Sequence, residues 1–369
     1  MNKNVTVNLG SRSYDIVVAP DLLRNCAEHL APIIKSRRVA LITDPYVNET
    51  YLPGLATTLD QLSPGWTAFI IPNGESAKSF SGVEKLLSEM LDAGIDRDCV
   101  VIAFGGGVVG DVGGFSASLL MRGIDFIQIP TTLMSQVDSA VGGKNGINTY
   151  HGKNLVGSFL QPKVVLNDVS LLATLPESEL RAGYGEIIKY GILRGETEFS
   201  WLEDNLTDIL ARKPDALVQV VSMGVATKAS IVSEDELDKG KRALVNLGHT
   251  FAHAFETQAG FGEVPHGHAV AAGLIAAADL SVRTSACETK VLEHIRAHTR
   301  SAGLPTNLKE LSQDNAWNAD AIYASMAHDK KTISGKINFV LIHGLGKPFV
   351  NNEVPKEQVL ATLRECGAS

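Results

Sequence analysis

Four of the ten histidines fall within twenty positions. His249 and His253 stand in Asn246-Leu-Gly-His-Thr-Phe-Ala-His253, and His266 and His268 in Val-Pro-His-Gly-His-Ala-Val. His249 and His253 are four apart, so a helix would carry both on one face. Glu186 stands earlier, in Gly-Tyr-Gly-Glu-Ile-Ile-Lys189. Two imidazoles and one carboxylate suit a divalent cation such as zinc with a position left open for water or substrate. A lone histidine in such a stretch is more often a hydrogen-bonded core residue, and three separate segments would have to meet. The concentration, not any single residue, points to a metal.

A second stretch with chemical potential is Phe104-Gly-Gly-Gly-Val-Val-Gly-Asp111-Val-Gly-Gly114. It follows a strand-like run and opens a helix-like one. Glycines let a backbone come close to a ligand, and a helix N-terminus offers free N–H groups to a pyrophosphate. That points to a dinucleotide, with Asp111 placed to hydrogen-bond a carboxamide. Tight helix–sheet packing would use the same glycines. Pro72-Asn73-Gly74-Glu75 puts an acid at another strand end, followed by Lys78. Such a carboxylate holds ribose hydroxyls or caps a loop.

The cations form a third set. Lys144 and Lys153 lie on glycine-rich, loop-like stretches, Gly142-Gly143-Lys144 and Gly152-Lys153-Asn154, and Arg122 follows Met121. Lys189 is one helical turn beyond Glu186. Lys228 and Arg242 precede the histidines, and Asp329-Lys330-Lys331 comes late. Each alone reads as a solvated surface charge. As a set near the metal segments they suit phosphate and carboxylate. The chain is acidic, with 33 Lys+Arg against 41 Asp+Glu and a net charge of −8. A bound anion therefore needs such a local cluster, and nucleic acid or an anionic membrane surface is a poor partner.

Two kinds of element must position these residues. Up to about residue 176, strand-like runs at 39–43, 67–72, 100–104, 126–129 and 164–166 alternate with helical patterns such as Phe80, Val83, Leu87 and Met90. Val5, Val7 and Leu9 lead through Gly10-Ser11 into 14–18 as a hairpin. This predicts a Rossmann-like parallel sheet with helices on both faces. From Glu177 to about Thr299 the texture is helical, and 269–280 is apolar nearly all round, as in a helix buried in a bundle. Residues 337–342 and 348–350 read as a small hairpin. The expectation is an α/β nucleotide-binding domain over 1–176 and a mostly helical metal- and substrate-binding domain over 177–369. Cys26, Cys99, Cys287 and Cys366 are dispersed, which suits reduced thiols in the cytoplasm. The N-terminus lacks an apolar signal core, and no run of about 18 uninterrupted apolar residues suggests a membrane span.

These segments together resemble the 3-dehydroquinate synthase family of sugar phosphate cyclases. The stretches that carry the likeness are GGGVVGD (105–111), MRG (121–123), PTTLMSQVDSAVGGK (130–144), GKN (152–154), TLPESELRAGYGEIIKYG (174–191), NLGHTFAHAFE (246–256), VPHGHAV (264–270) and DKK (329–331). The resemblance implies a nucleotide-binding domain, a helical metal-binding domain and a site in the cleft between them. By it, Glu186, His249 and His266 match ligands to zinc or cobalt. Asp44, Glu75, Lys78, Gly106, Gly107, Val108, Asp111, Thr131, Thr132, Asp138, Lys144, Lys153, Leu171 and Thr174 match NAD contacts. Lys144, Asn154, Asn246, His253 and Lys330 match groups holding the phosphate end. Lys189, Lys228 and Arg242 match those gripping carboxylate and hydroxyls, and Arg122 reaches across a homodimer.

The implied activity converts 3-deoxy-D-arabino-heptulosonate 7-phosphate to 3-dehydroquinate and phosphate in the shikimate pathway. It proceeds by transient NAD oxidation, β-elimination, reduction and aldol closure. A cyclase of secondary metabolism, or a metal-dependent polyol dehydrogenase of related fold, is the alternative. The chain departs from the family pattern at His268, where Glu is usual, and at Tyr184-Gly185, where Leu-Ala is usual. His268 is then either an alternative ligand or a modifier of the hydrogen bonding of His266.

Overall fold

Alternating apolar residues build the hairpin that opens the chain, β1 (Lys3–Val7) against β2 (Tyr14–Ala19). The structure is a computed structural model describing residues 2–260, 262–327, 332–333 and 336–369. Its first unit comprises Met1–Leu175 and Arg212–Leu237, and its second Pro176–Ala211 and Asp238–Ser369.

In the first unit, β3 (Val39–Thr43), β4 (Trp66–Ile70), β5 (Val100–Gly105) and β6 (Asp125–Pro130) follow the hairpin. Next come β7 (Lys144–Thr149), β8 (Gly152–Phe159) and β9 (Val164–Asp168). Seven strands form one sheet in the order β1-β2-β9-β6-β5-β3-β4. Every neighbouring pair but the first is parallel. Helices α1 (Ala27–Ile34), α2 (Pro45–Thr50), α3 (Leu52–Leu62), α4 (Phe80–Asp92) and α5 (Gly107–Leu119) connect them. Side chains alternate across the sheet. Leu41 and Ile102 join Leu30, Leu55 and Leu59 of α1 and α3 on one face. Ala40, Ile42, Val101 and Ala103 join Val83, Met90, Val112 and Phe115 of α4 and α5 on the other. Both faces are therefore covered, as a mainly parallel sheet requires.

The remaining long helices are α6 (Glu177–Arg194), α7 (Glu196–Leu210), α8 (Pro214–Glu234), α9 (His249–Ala259), α10 (His266–Arg283) and α11 (Thr289–Ser301). A single boundary at 176/177 misses one feature: α8 returns to the first unit. It packs on β1, on β2 and on the short helical segment Ser135–Ser139. Leu217, Val221 and Val225 are buried there. Apolar burial, not chain order, decides membership. By length and composition α8 alone among the described helices is apolar enough to cross a membrane, and most of it is buried in the protein. In the second unit α10 is the central element, packed against α6, α9 and α11, with 269–280 buried throughout. Phe339–Ile342 pairs antiparallel with Pro348–Asn351, close to the expected hairpin.

The stretches carrying Lys144 and Lys153 are not loops. They are β7 and β8, paired antiparallel. Glycine hides the strand pattern here: a Cβ on Gly157 would meet the Asn145 carbonyl oxygen at 2.1 Å, so close backbone approach excludes the branched residues that mark strands.

Candidate metal and nucleotide sites

In the second unit, one ligand atom from each of Glu186, His249 and His266 lies within 4.8 Å of the others. Glu186 Oε1 is 3.4 Å from Nε2 of both histidines. Lys189 Nζ lies 2.5 Å from Glu186 Oε2. Glu186 is fully buried, yet neither carboxylate oxygen has a well-formed hydrogen bond among the described residues. The Lys189 ammonium compensates the charge at Oε2, and Oε1 faces the two imidazole nitrogens, where a further cation would be held. The donor set, two imidazoles and a carboxylate with a ligand atom of each gathered in one place, fits a zinc-like ion.

Glycines bring the three segments together. A Cβ on Gly185 would stand 2.2 Å from the Gly267 carbonyl oxygen, and one on Gly267 only 1.7 Å from that of Ala182. This contact sets Glu186 of α6 beside His266, the first residue of α10. Gly248, with φ +79°, turns the chain into α9, and a Cβ on Gly273 would stand 2.3 Å from its carbonyl oxygen. His249 thereby starts its helix against α10. His249 Nδ1 pairs with the Leu247 carbonyl oxygen at 3.1 Å, turning Nε2 toward Glu186.

Burial works to raise the Glu186 carboxyl, but Lys189, His249 and His266 outweigh it and hold the group well below the usual carboxylate range. Burial works to lower His266, and the Glu186 and Glu256 carboxylates beside it push it up to about 10. Those two shifts describe the side chains without a metal. His268 is not in the triad. It sits two residues past His266 on α10, a spacing that points it to another side of the helix. Its Nε2 is buried with no hydrogen-bond partner among the described residues, and burial with nearby Arg181 lowers its pKa. Arg242 is buried on the short helix Lys241–Asn246, which ends at Asn246. The His253 ring centroid is 5.7 Å from that of His249. Lys330 lies outside the described residues.

In the first unit the nucleotide candidates follow the carboxyl ends of parallel strands. Asp44 follows β3, Glu75 and Lys78 follow β4, Gly106 to Asp111 follow β5, and Thr131 and Thr132 follow β6. Leu171 and Thr174 follow β9 on the helical turn Val169–Thr174. β3 leads on to β4 on one side and β5 to β6 on the other, so the crevice between β3 and β5 is the switch point at which such sheets hold ligands. Gly106 and Gly107 open α5, followed by Val108. The glycine cluster also packs: a Cβ on Gly113 would meet Ala103 Cβ at 2.8 Å, and one on Gly114 would meet Asn145 Oδ1 at 1.9 Å. The packing reading of this turn therefore has a structural basis at Gly113 and Gly114.

Buried Lys78 donates to Asp111 Oδ2 at 2.6 Å and to Asn154 Oδ1 at 2.7 Å. Burial raises the Asp111 pKa, against the pull of Lys78. Asn154 has φ +54°, and Asn148 Oδ1 accepts from its N–H while Asn148 Nδ2 donates to Glu75. Lys228 of α8 reaches the backbone oxygen of Asp138 at 2.7 Å and its carboxylate at 2.9 Å. Lys228 thus belongs to the first unit by its packing. Asp44 caps α2 by accepting from Val47 N–H, and Thr174 pairs with Tyr46 and Tyr51. Lys144 is exposed at the start of β7 and Lys153 half-buried on β8. Arg122 is exposed on a turn with φ +68°. Sequence reading missed Asn148, and noted Glu256 only within a matched stretch. The signal for Glu256 was its spacing, seven past His249 on the same helix.

Residues 68–182 match the family described as 3-dehydroquinate synthase N-terminal, and 183–332 the one described as 3-dehydroquinate synthase C-terminal. A 3-dehydroquinate synthase of Rhodospirillum rubrum is 46% identical over 365 residues, covering 99% of this chain and 95% of that one. A 2-deoxy-scyllo-inosose synthase complexed with carbaglucose-6-phosphate, NAD+ and Co2+ has TM-score 0.87 at 26% identity, over 98% of this chain and 100% of its own. The 2-epi-5-epi-valiolone synthase of Streptomyces hygroscopicus, with NAD+ and Zn2+ bound, has TM-score 0.87 at 29% identity, over 97% and 98%. With two matching domains and a relative of this identity along nearly its whole length, the chain belongs to the 3-dehydroquinate synthase family.

Proposed function

We propose that this chain converts 3-deoxy-D-arabino-heptulosonate 7-phosphate to 3-dehydroquinate and phosphate, as a lyase that uses NAD and a divalent cation. Full-length similarity to 3-dehydroquinate synthases names the reaction. The observation that carries it to these residues is the buried Glu186 carboxylate facing His249 and His266. When bound, NAD removes and returns one hydride and the cation polarises the oxygen at the oxidised carbon.

The chain's own residues bind and orient. The α5 N-terminus, with Gly106, Gly107 and Val108, offers N–H groups to the NAD pyrophosphate. Lys78 holds Asp111 toward the carboxamide. Lys144, Asn154, Asn246 and His253 take the phosphate end. Lys189, Lys228 and Arg242 take the carboxylate and hydroxyls. Elimination breaks a C–O bond to phosphate and a C–H bond beside the new carbonyl. The departing phosphate accepts that proton, so these side chains supply position and charge rather than a strong base. In this reading the enzyme is a cytoplasmic homodimer with Arg122 serving the neighbouring subunit. The exposure of Arg122 and four cysteines without a disulfide support it.

Phosphate release from the seven-carbon substrate tests the reading. It should require NAD, stop with chelator and leave no lasting NADH absorbance. Net NADH would show a dehydrogenase instead, and activity only with other sugar phosphates a different cyclase. Glu186→Gln should lose both turnover and bound metal.

A further inference from the structure

His266 stands between two carboxylates. Its Nε2 lies 3.4 Å from Glu186 Oε1, and its Nδ1 lies 3.3 Å from Glu256 Oε2. Glu256 is 3% exposed, so its carboxylate is committed to the interior. It lies on α9 seven residues after His249, and positions i and i+7 share one helical stripe. One helix therefore carries a ligand and, two turns on, a group touching the far nitrogen of the ligand on the next helix.

We propose that Glu256 is a positioning residue for His266: it accepts the Nδ1 proton and so fixes the tautomer whose Nε2 lone pair faces the metal position. An imidazole has one lone pair when neutral, and the nitrogen that donates a hydrogen bond cannot ligate. His249 is held the same way by a neutral acceptor, the Leu247 carbonyl oxygen. The two ligands thus differ in what orients them. His266, whose side chain is 36% exposed against 10% for His249, has the charged orienter. The second buried carboxylate also offsets Lys189, whose ammonium beside Glu186 opposes a dication.

The inference rests on Glu186, His249 and His266 being the metal site. Its test is zinc affinity, measured on the full chain by competition with a chromophoric chelator. Glu256→Ala should weaken zinc about 10- to 100-fold, the range for a lost partner of a ligating histidine. Glu256→Gln keeps an acceptor oxygen and should recover much of that loss. In zinc-loaded wild type, nitrogen-15 spectra should show His266 with Nδ1 protonated and Nε2 metal-bound, a signature that holds even if Glu256→Ala does not fold. Metal on Nδ1, or Glu256→Ala binding zinc as tightly as wild type, would overturn the proposal while leaving the triad intact. Undiminished zinc in Glu186→Gln would instead remove the triad itself.

Discussion

Lys189 Nζ and Glu186 Oε2 lie 2.5 Å apart, one turn along α6, and both side chains are shut off from solvent. An ion pair in such a place costs desolvation on both sides and gains from mutual attraction. It holds the carboxylate ionised before any cation arrives.

Removing the ammonium should therefore expose the cost of the lone carboxylate. Lys189→Met is expected to destabilise the metal-free protein by about 3 kcal/mol, the scale for breaking a buried pair. Saturating zinc should restore much of it by binding the folded state. Urea unfolding midpoints with and without zinc check this; an unchanged midpoint in the metal-free variant would contradict it.

His268→Glu should retain zinc and turnover. The residue is two positions past His266 and outside the triad, so the new carboxylate points elsewhere. Metal content after dialysis is the readout, and zinc loss would make His268 part of the site.

Gly267→Ala should harm both stability and metal binding. Its Cβ would lie 1.7 Å from the Ala182 carbonyl oxygen, where backbone must move. Overpacking of this kind costs about 1–3 kcal/mol. The forced separation of α6 from α10 also parts Glu186 from His266. Wild-type zinc affinity in a folded Gly267→Ala variant would argue that this contact does not set the ligand spacing.

Tyr184 and His298 share a buried hydrogen bond of 3.0 Å. Burial, aided by His294, pushes His298 down to about 4. The imidazole is thus neutral in the fold, while in the unfolded chain it titrates near 6.5. As pH falls from about 6.5 toward 4 the unfolded state takes the proton first, and about 3 kcal/mol of stability is lost across that window. Stability above pH 7 is unaffected by this group. His298→Gln keeps a partner for the Tyr184 hydroxyl and removes the titration. Its unfolding midpoint should fall less with acid than that of wild type, and equal slopes would exclude His298 as the source.

Local patterns settled much of this molecule. A strand is recognisable at Val100–Gly105 because its residues are apolar and run into glycines, and α10 because 269–280 is apolar nearly all round. The chemistry-bearing residue types, Glu186, His249 and His266 among them, were legible because few other residues ligate metals. What the chain could not disclose by itself is proximity across many positions. Glu186 and His266 are 80 residues apart, and they meet because Gly185 and Gly267 let two backbones approach more closely than any Cβ allows. The membership of α8 in the first unit and the pairing of β7 with β8 were equally hidden. Each depends on which apolar face or glycine backbone finds its complement, and that is a property of packing rather than of local periodicity.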